Sequence, residues 1–326
     1  MKRVTLGQSG LSCEAVGLGT WAMGGWMWGG HDDTAAIEGI RASLDAGVTL
    51  IDTAPAYGLG HAERLVGAAL EGRRDDAVIA TKCGLVWNTT RGAHFFDEEG
   101  RPVHRYLGPE SIRLELEESL RRLRTDRIDL YITHWQDATT PVADTMGALL
   151  DLKRQGKIRA IGVSNVDAPT LREYLKHGPV DAIQERYSLL DREIETDLVP
   201  LCRTHGVTVL GYSSLAMGLL AGPIDPARRF TGDDQRATNP RFSPSNRAAL
   251  QAFFDELAPV RDAVGCSFSQ LLIAWTFEHG QVDVALCGAR NARQAIDNAE
   301  AGKVTLTDEQ ITAIDTARAR HLTALG

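Results

Sequence analysis

The strongest constraint on this chain is a rhythm: eight short, β-prone apolar runs alternate with amphipathic stretches of helical period. The runs cover 15–18, 49–52, 78–82, 128–134, 158–164, 182–184, 208–212 and 282–287. The helical stretches between and after them cover 33–46, 62–70, 109–123, 142–155, 169–176, 195–204, 267–277 and 292–299. Strands linked through helices run parallel, because a parallel pair needs a long crossover that a tight turn cannot supply. Eight such units close a sheet on itself, and the expected fold class is α/β, a (β/α)8 TIM barrel. No strand pattern is left over for a second sheet.

The pieces outside the rhythm decorate that barrel. One domain is expected over 1–326, with a hairpin at 1–14, the barrel over 15–300, and a C-terminal helix and tail over 301–326. The turn-prone segment from Gly7 to Gly10 lies between two β-prone runs, and the resulting hairpin would close the bottom of the barrel. Extra helices are expected at 246–264 and 307–317. Two connections, 83–108 and 213–245, are oversized; long loops in compact domains are usually functional, and both leave the carboxyl face, where barrel enzymes work.

Composition excludes several classes of function. Hydrophobic residues at 43% and charged residues at 24% are ordinary for a folded chain, which removes disorder and collagen-like repeats from consideration. Lys plus Arg is 35 against 43 for Asp plus Glu, a formal charge of −8, and no basic run offers a nucleic-acid footprint. No apolar stretch is long enough for a membrane span or a secretory leader. Cys13, Cys83, Cys202, Cys266 and Cys287 are odd in number and form no Cys-x-x-Cys pair, which fits a reducing cytoplasm and leaves structural zinc without support. No metal is expected.

Asp52, Tyr57, Lys82 and His134 each end a predicted strand or begin the loop after it, so the barrel would bring them to one rim. A phenol titrates near 10, too high for an efficient donor at neutrality. Lys82 beside Tyr57 would favour the phenolate and lower that value, while Asp52 would hold Lys82 charged and oriented. His134 can hydrogen-bond a substrate oxygen or relay a proton. Taken singly, each has a plain alternative: a barrel-mouth ion pair for Asp52 and Lys82, a half-buried aromatic for Tyr57, a satisfied polar residue for His134. The set of four suits protonation of a carbonyl oxygen.

The runs Asp52-Thr-Ala-Pro-Ala-Tyr57-Gly58 with Glu63, Ala80-Thr-Lys82, Asp129-Leu-Tyr-Ile-Thr-His134 and Gly162-Val-Ser164-Asn165 together resemble the aldo-keto reductase family, in particular its bacterial branch with inositol-operon reductases. The likeness spans nearly the whole chain. It implies a nicotinamide-dependent barrel without a Rossmann domain, in which Tyr57 is the acid, Lys82 and Asp52 tune it, and His134 orients the carbonyl. Ser164, Asn165 and Gln184 stand where the family binds the carboxamide, and Tyr212 where it stacks on the ring. Ser213, Leu215, Gly218 and Leu219 match the loop that receives the pyrophosphate. Gly288, Ala289, Arg290, Gln294 and Asn298 match the adenosine-phosphate segment. An arginine can grip a 2′-phosphate bidentately, so NADP(H) is expected, with NAD(H) possible. Gly19, Thr20 and Trp21, after the first strand, together with Asp52 complete the expected cofactor contacts. The pattern departs from the family at Ser214 and Cys287, where many members carry Pro, and no Lys stands near Gly288, where longer-studied branches carry one.

The string Gly17-Leu-Gly19-Thr-Trp-Ala22 nominally matches a dinucleotide fingerprint. It is set aside, because the following Met23-to-Gly30 segment is glycine-rich and aromatic and ill suited to open the long helix that a Rossmann site needs. Trp21, Trp26, Trp28, Trp87 and Trp135 all leave strand ends and would ring one mouth as substrate contacts with Tyr57 and His134; such a wall accepts sugars and aromatic aldehydes alike. The expected activity is reduction of an aldehyde or ketone, or oxidation of a sugar or polyol hydroxyl. An alternative is a catalytically slow, cofactor-binding regulator resembling potassium-channel β subunits, for which an expected absence of any extension before the hairpin gives no support. A hydrolase or isomerase barrel would bind no nicotinamide. The small-molecule partner is the only one expected, and the sequence leaves the oligomeric state open.

Overall fold

Thirteen strands and eleven α-helices organise the computed structural model, which describes residues 1–325 except Pro226; that residue, inside the predicted 213–245 loop, and Gly326, at the end of the predicted tail, lie outside the described residues. A hairpin of β1 (Arg3–Thr5) and β2 (Ser12–Glu14) comes first. The barrel follows in chain order: β3 (Val16–Gly19), β4 (Leu50–Asp52), β5 (Val78–Cys83), β9 (Ile128–Thr133), β10 (Ile158–Ser164), β11 (Ala182–Arg186), β12 (Thr208–Tyr212) and β13 (Val284–Gly288). All neighbours are parallel and β13 pairs with β3, so the cylinder is closed and no edge is left to pair with another chain. This is the TIM barrel expected from the eightfold rhythm.

The surrounding helices are α2 (Asp33–Asp45), α3 (His61–Ala69), α4 (Pro109–Leu123), α5 (Val142–Arg154), α6 (Ala168–His177), α7 (Leu198–His205), α9 (Phe268–Glu278) and α10 (Ala292–Glu300). Outside the repeat lie α1 (Trp21–Gly24), α8 (Pro244–Val264) and α11 (Asp308–His321). Five helix starts follow local signals: Asp32, Asp167, Ser267, Asn291 and Thr307 each accept an amide hydrogen bond there, and Ser267 and Thr307 complete capping boxes with Gln270 and Gln310. The helix expected from 195 begins later, at Leu198, because Glu193–Glu195 forms a separate 3-10 turn tied back to Arg192. After the set-aside glycine string, one helical turn does form as α1, but it stops at Gly25 (φ 88°) after four residues. No helix among the described residues is long and apolar enough to cross a membrane.

Two apolar layers hold the fold. One lies between barrel and helices; the other fills the cylinder itself with Leu50, Ala80, Leu130, Ile132, Ala160, Ala182, Leu210, Val284 and Leu286, stacked on Leu6, Leu11 and Cys13 of the hairpin. The hairpin therefore plugs the bottom, as its sequence suggested. Gly7 makes that seating possible: it has φ +52°, donates to Thr208 Oγ1 at 2.8 Å, and approaches so closely that a Cβ would stand 2.4 Å from the Asp181 carbonyl oxygen. A plugged interior leaves the opposite rim for chemistry.

The structure corrects one expectation directly. The 83–108 connection is not a bare loop, for it folds as a second sheet of β6 (Leu85–Val86), β7 (Ala93–Glu98) and β8 (Arg101–Arg105) in the order β6-β8-β7. Glu99 (φ 50°) and Gly100 (φ 73°) make its two-residue turn, whose left-handed backbone matches strand twist. Alternation is hard to read there because much of β7 and β8 is solvent-exposed on both faces and a register shift lies between His94 and Phe96. Phe95, Phe96 and Trp87 pack this sheet against Ala56, Leu85 and Val103 beside the rim.

One buried carboxyl behind the rim gives a pH prediction. Glu115 of α4 accepts from the Gly84 amide at 2.8 Å and from Ser111 Oγ at 3.1 Å, yet burial pushes its pKa up to about 8. Between about pH 4.5 and 8 the folded protein thus keeps a proton that the unfolded chain releases, so this group costs stability progressively as pH rises through that window, by up to about 1.4 kcal/mol per unit. Glu115→Gln keeps an acceptor for Gly84 and carries no charge. Urea melts across this range should show a shallower loss with rising pH in the variant; parallel curves for both proteins would remove Glu115 as the cause.

Candidate active site

At the carboxyl rim, strand register alone brings three polar groups together. Asp52 ends β4 and pairs with Ala80 of β5, so Lys82 emerges one pleat further on, and Gln184 faces them from β11. Lys82 is fully buried. Its ammonium lies 2.8 and 2.9 Å from the two Asp52 carboxylate oxygens, 2.9 Å from the Thr53 carbonyl and 3.2 Å from Tyr57 Oη. Gln184 Nε2 donates to Asp52 Oδ1 at 2.7 Å across the barrel, and Thr20 Oγ1 donates to the Asp52 carbonyl at 3.0 Å. The carboxylate is thus held by a charge and an amide.

The electrostatics differ from the sequence expectation. Burial raises the Tyr57 pKa well above its ordinary value, and the Asp52 charge raises it further. Lys82 does not reverse this, because its ammonium is tied to the Asp52 carboxylate at contact distance. Burial also lowers the Lys82 pKa, against an opposing pull from Asp52. Since Lys82 donates to Tyr57 Oη, the phenol oxygen accepts, and its own proton is left for another acceptor. His134 lies edge-on to Tyr57, ring centroids 5.8 Å apart. Burial and then the Lys82 charge push its pKa well below that of a free imidazole, so the ring is neutral, with one donor and one acceptor nitrogen.

Asp52, Tyr57 and His134 open onto a cavity of about 630 Å³, with Lys82 buried behind them. Trp21, Trp26, Trp28 and Trp135 stand on its wall with Phe95 and Phe96; Trp26 stacks on Phe96 at 4.8 Å and Trp21 meets Trp28 edge to face at 5.6 Å. Trp87 is not on the wall; it is half-buried and packs against the cluster of Ala56, Leu85 and Val103. The other end of the cavity collects Gly19, Ser164, Asn165, Gln184, Tyr212, Ser213, Leu215, Gly218, Gly288, Ala289, Arg290, Gln294 and Asn298. Two expected contacts are missing from that wall: Leu219 is wholly buried in the outer apolar layer, and Thr20 is buried with its hydroxyl turned back to Asp52.

Within this end the polar groups are cross-linked. Tyr212 Oη donates to Asn165 Oδ1 at 2.9 Å, Asn165 Nδ2 donates to the His134 carbonyl at 2.8 Å, and Ser164 Oγ donates to the Gln184 carbonyl at 2.6 Å. Ser213, Ala216 and Met217 all hold positive φ (62°, 46° and 59°), a backbone cost of about 1–3 kcal/mol each that persists only where the surroundings impose it, typically around a bound group. Arg290 donates to the Trp28 and Gly30 carbonyls at 3.2 and 2.6 Å.

Sequence reading missed the strap that crosses the mouth. Asp233 in the 213–245 connection accepts from the amides of Met27 and Gly29 at 2.8 and 3.0 Å, and Gln235 N donates to the Met27 carbonyl. Arg236, paired with Asp234, lies over the Trp28 ring at 5.0 Å and joins the cavity wall, as do Arg293 and Asp297 from α10. Only the length of the connection signalled this, since an acid–arginine cluster in a polar loop has no periodicity to read.

Comparison with known proteins agrees with the barrel. The Aldo/keto reductase family model matches residues 15–319. The chain is 40% identical to the NADH-specific methylglyoxal reductase of Escherichia coli over 96% of its own length and 97% of that protein. It is 39% identical to the aldo-keto reductase YhdN of Bacillus subtilis, over 97% and 93%. Among solved structures, the glycerol dehydrogenase of Gluconobacter oxydans superposes with TM-score 0.86 at 40% identity, covering 96% of this chain and 93% of that one. An aldo/keto reductase from Klebsiella pneumoniae in complex with NADP and acetate gives 0.73 at 29%, over 98% and 96%. A family model spanning the cylinder and two near-full-length relatives leave one conclusion: the chain belongs to the aldo/keto reductase family of oxidoreductases.

Proposed function

We propose that this protein reduces an aldehyde or ketone with NADP(H), or runs the same reaction backward on a sugar or polyol hydroxyl. The observation that carries this reading is the 3.2 Å contact between Lys82 Nζ and Tyr57 Oη at the wall of an aromatic cavity. The residues fit a dinucleotide. The Trp28 indole N–H has no acceptor among the described residues, and the strained Ser213–Met217 backbone suits a pyrophosphate. Ser164, Asn165, Gln184 and Tyr212 would hold the nicotinamide end, and Gly288, Arg290, Gln294 and Asn298 the adenosine end. When bound, a reduced nicotinamide supplies the hydride.

The chain's own residues manage the oxygen. Tyr57, protonated at neutral pH and accepting from Lys82, gives its proton to the carbonyl oxygen as negative charge develops there. Neutral His134 donates one hydrogen bond to the same oxygen and orients it without competing as an acid. Asp52 keeps the ammonium in place, and the tryptophan wall excludes water from the exchange. The Gluconobacter relative named a glycerol dehydrogenase and the Escherichia relative named a methylglyoxal reductase favour a small oxygenated substrate. Mixing the protein with NADPH or NADH and a panel of aldehydes, ketones and polyols tests the reading by absorbance. Stoichiometric cofactor binding with no consumption on any substrate would overturn it in favour of a regulator.

Arg290 supplies the cofactor preference. Its guanidinium at the head of α10 can turn from the Trp28 and Gly30 carbonyls to a 2′-phosphate, while Asp297 nearby is taken up by Ser269 Oγ at 3.0 Å and Gln270 Nε2 at 2.8 Å. Arg290→Ala should weaken NADPH more than NADH by roughly 1–3 kcal/mol, the scale of a charge-assisted hydrogen bond. Equal losses for both cofactors, measured by fluorescence titration, would take Arg290 out of the phosphate contact.

A further inference from the structure

Two histidines and a carboxylate meet at the rim, outside the catalytic groups. His31 ends the loop after α1, Asp33 is the first residue of α2, and His61 the first of α3. Each offers a ligand atom, and these atoms all lie within 4.8 Å of one another. Both imidazoles aim Nε2 at a single atom, Asp33 Oδ1, at 2.8 Å from His61 and 3.6 Å from His31, with ring centroids 4.6 Å apart. Two imidazole nitrogens and a carboxylate oxygen, brought together from three segments, surround one point with the lone-pair donors that a cation takes. The three side chains are 49%, 51% and 21% exposed, so an ion can reach them without unfolding anything.

We propose that His31, Asp33 and His61 form a binding site for a divalent transition metal of the zinc type. Two nitrogens and one carboxylate oxygen are the ligand set of an open tetrahedral zinc site, with the fourth position left to water. Small side-chain rotations bring 4.8 Å separations to coordination distance. The three ligands come from three segments, so the ion is a staple. It fastens the loop carrying Trp26 and Trp28, two walls of the cavity, to α3, whose preceding turn carries Tyr57. The contact is already tight on that side: His31 Nδ1 lies 2.7 Å from where a Cβ on Gly25 would be, and a Cβ on Gly24 would stand 2.8 Å from the Tyr57 carbonyl oxygen. Nothing in the sequence announces the site, because His61 lies far from the other two ligands and no ligand spacing within one element exists to read.

Zinc ion titrated into the metal-stripped protein, read by calorimetry and by competition with a chromophoric chelator, tests the site. One equivalent is expected, weakened at least about 10-fold in His31→Ala and in His61→Ala. Both histidines are surface residues, and circular dichroism would verify that the variants fold. Cobalt(II) as a second probe should give the visible absorption of tetrahedral coordination in the parent protein and lose it in both variants. No binding, or equal binding by parent and variants, would overturn the site. Tryptophan emission tests the staple separately: zinc should change it in the parent protein and leave His31→Ala unaltered, and one bound equivalent without that change would overturn the stapling role.

Discussion

Tyr57→Phe should lower turnover by about 10²–10⁴ while leaving cofactor affinity nearly intact. The substitution removes one oxygen from a ring that keeps its edge contact with His134 and its stacking against Trp21 at 6.2 Å, so the cavity wall survives and the proton does not. Lys82 loses one of its four near acceptors but retains the two Asp52 oxygens and the Thr53 carbonyl, which keeps the buried charge satisfied. The check is kcat for a reducible aldehyde together with the Kd for NADPH. Equal turnover would falsify the acid assignment, and a large loss of cofactor binding would mean that the phenol acts by packing instead.

Lys82→Met should be the most damaging single change at the rim. It leaves Asp52 buried with only the Gln184 amide against its charge, and unpairing one member of a buried ion pair typically costs about 3–5 kcal/mol. Two measurements separate the causes. Urea denaturation should show the lost stability, and turnover should fall even where the variant is fully folded, because the hydrogen bond that leaves the Tyr57 proton free is gone. Asp52→Asn unpairs the other member, leaving the fully buried Lys82 ammonium with only neutral acceptors, so a comparable loss of stability is expected. A stable, active Lys82→Met protein would sink the proposed arrangement at its base.

The fold was legible because each of its units repeats the same physics. An apolar run of buried strand followed by an amphipathic stretch is readable eight times over, and caps such as Ser267 and Thr307 mark where helices begin. The small β6–β8 sheet was not legible, because its strands face water and the pleat has no single apolar side to reveal it. At the site, Asp52, Tyr57, Lys82 and His134 could be listed together because each sits at a strand end or in the loop that follows, and the barrel turns strand ends into neighbours. What the list could not contain was sign and reach. The rise in the Tyr57 pKa depends on burial that only three dimensions supply, and Trp87 looks like its fellow tryptophans until the cavity is seen to leave it out. The strap from Asp233 to Arg236 is a matter of long-range contact, and such contact leaves no local trace.

The second sheet hangs between Gly84 and Gly108, wholly outside the ladder that closes the cylinder, yet it contributes Phe95 and Phe96 to the cavity. It is a cassette: Phe95 and Phe96 reach the cavity from outside the barrel, so substitutions there would reshape what is accepted while the Lys82–Asp52 pair stays in place.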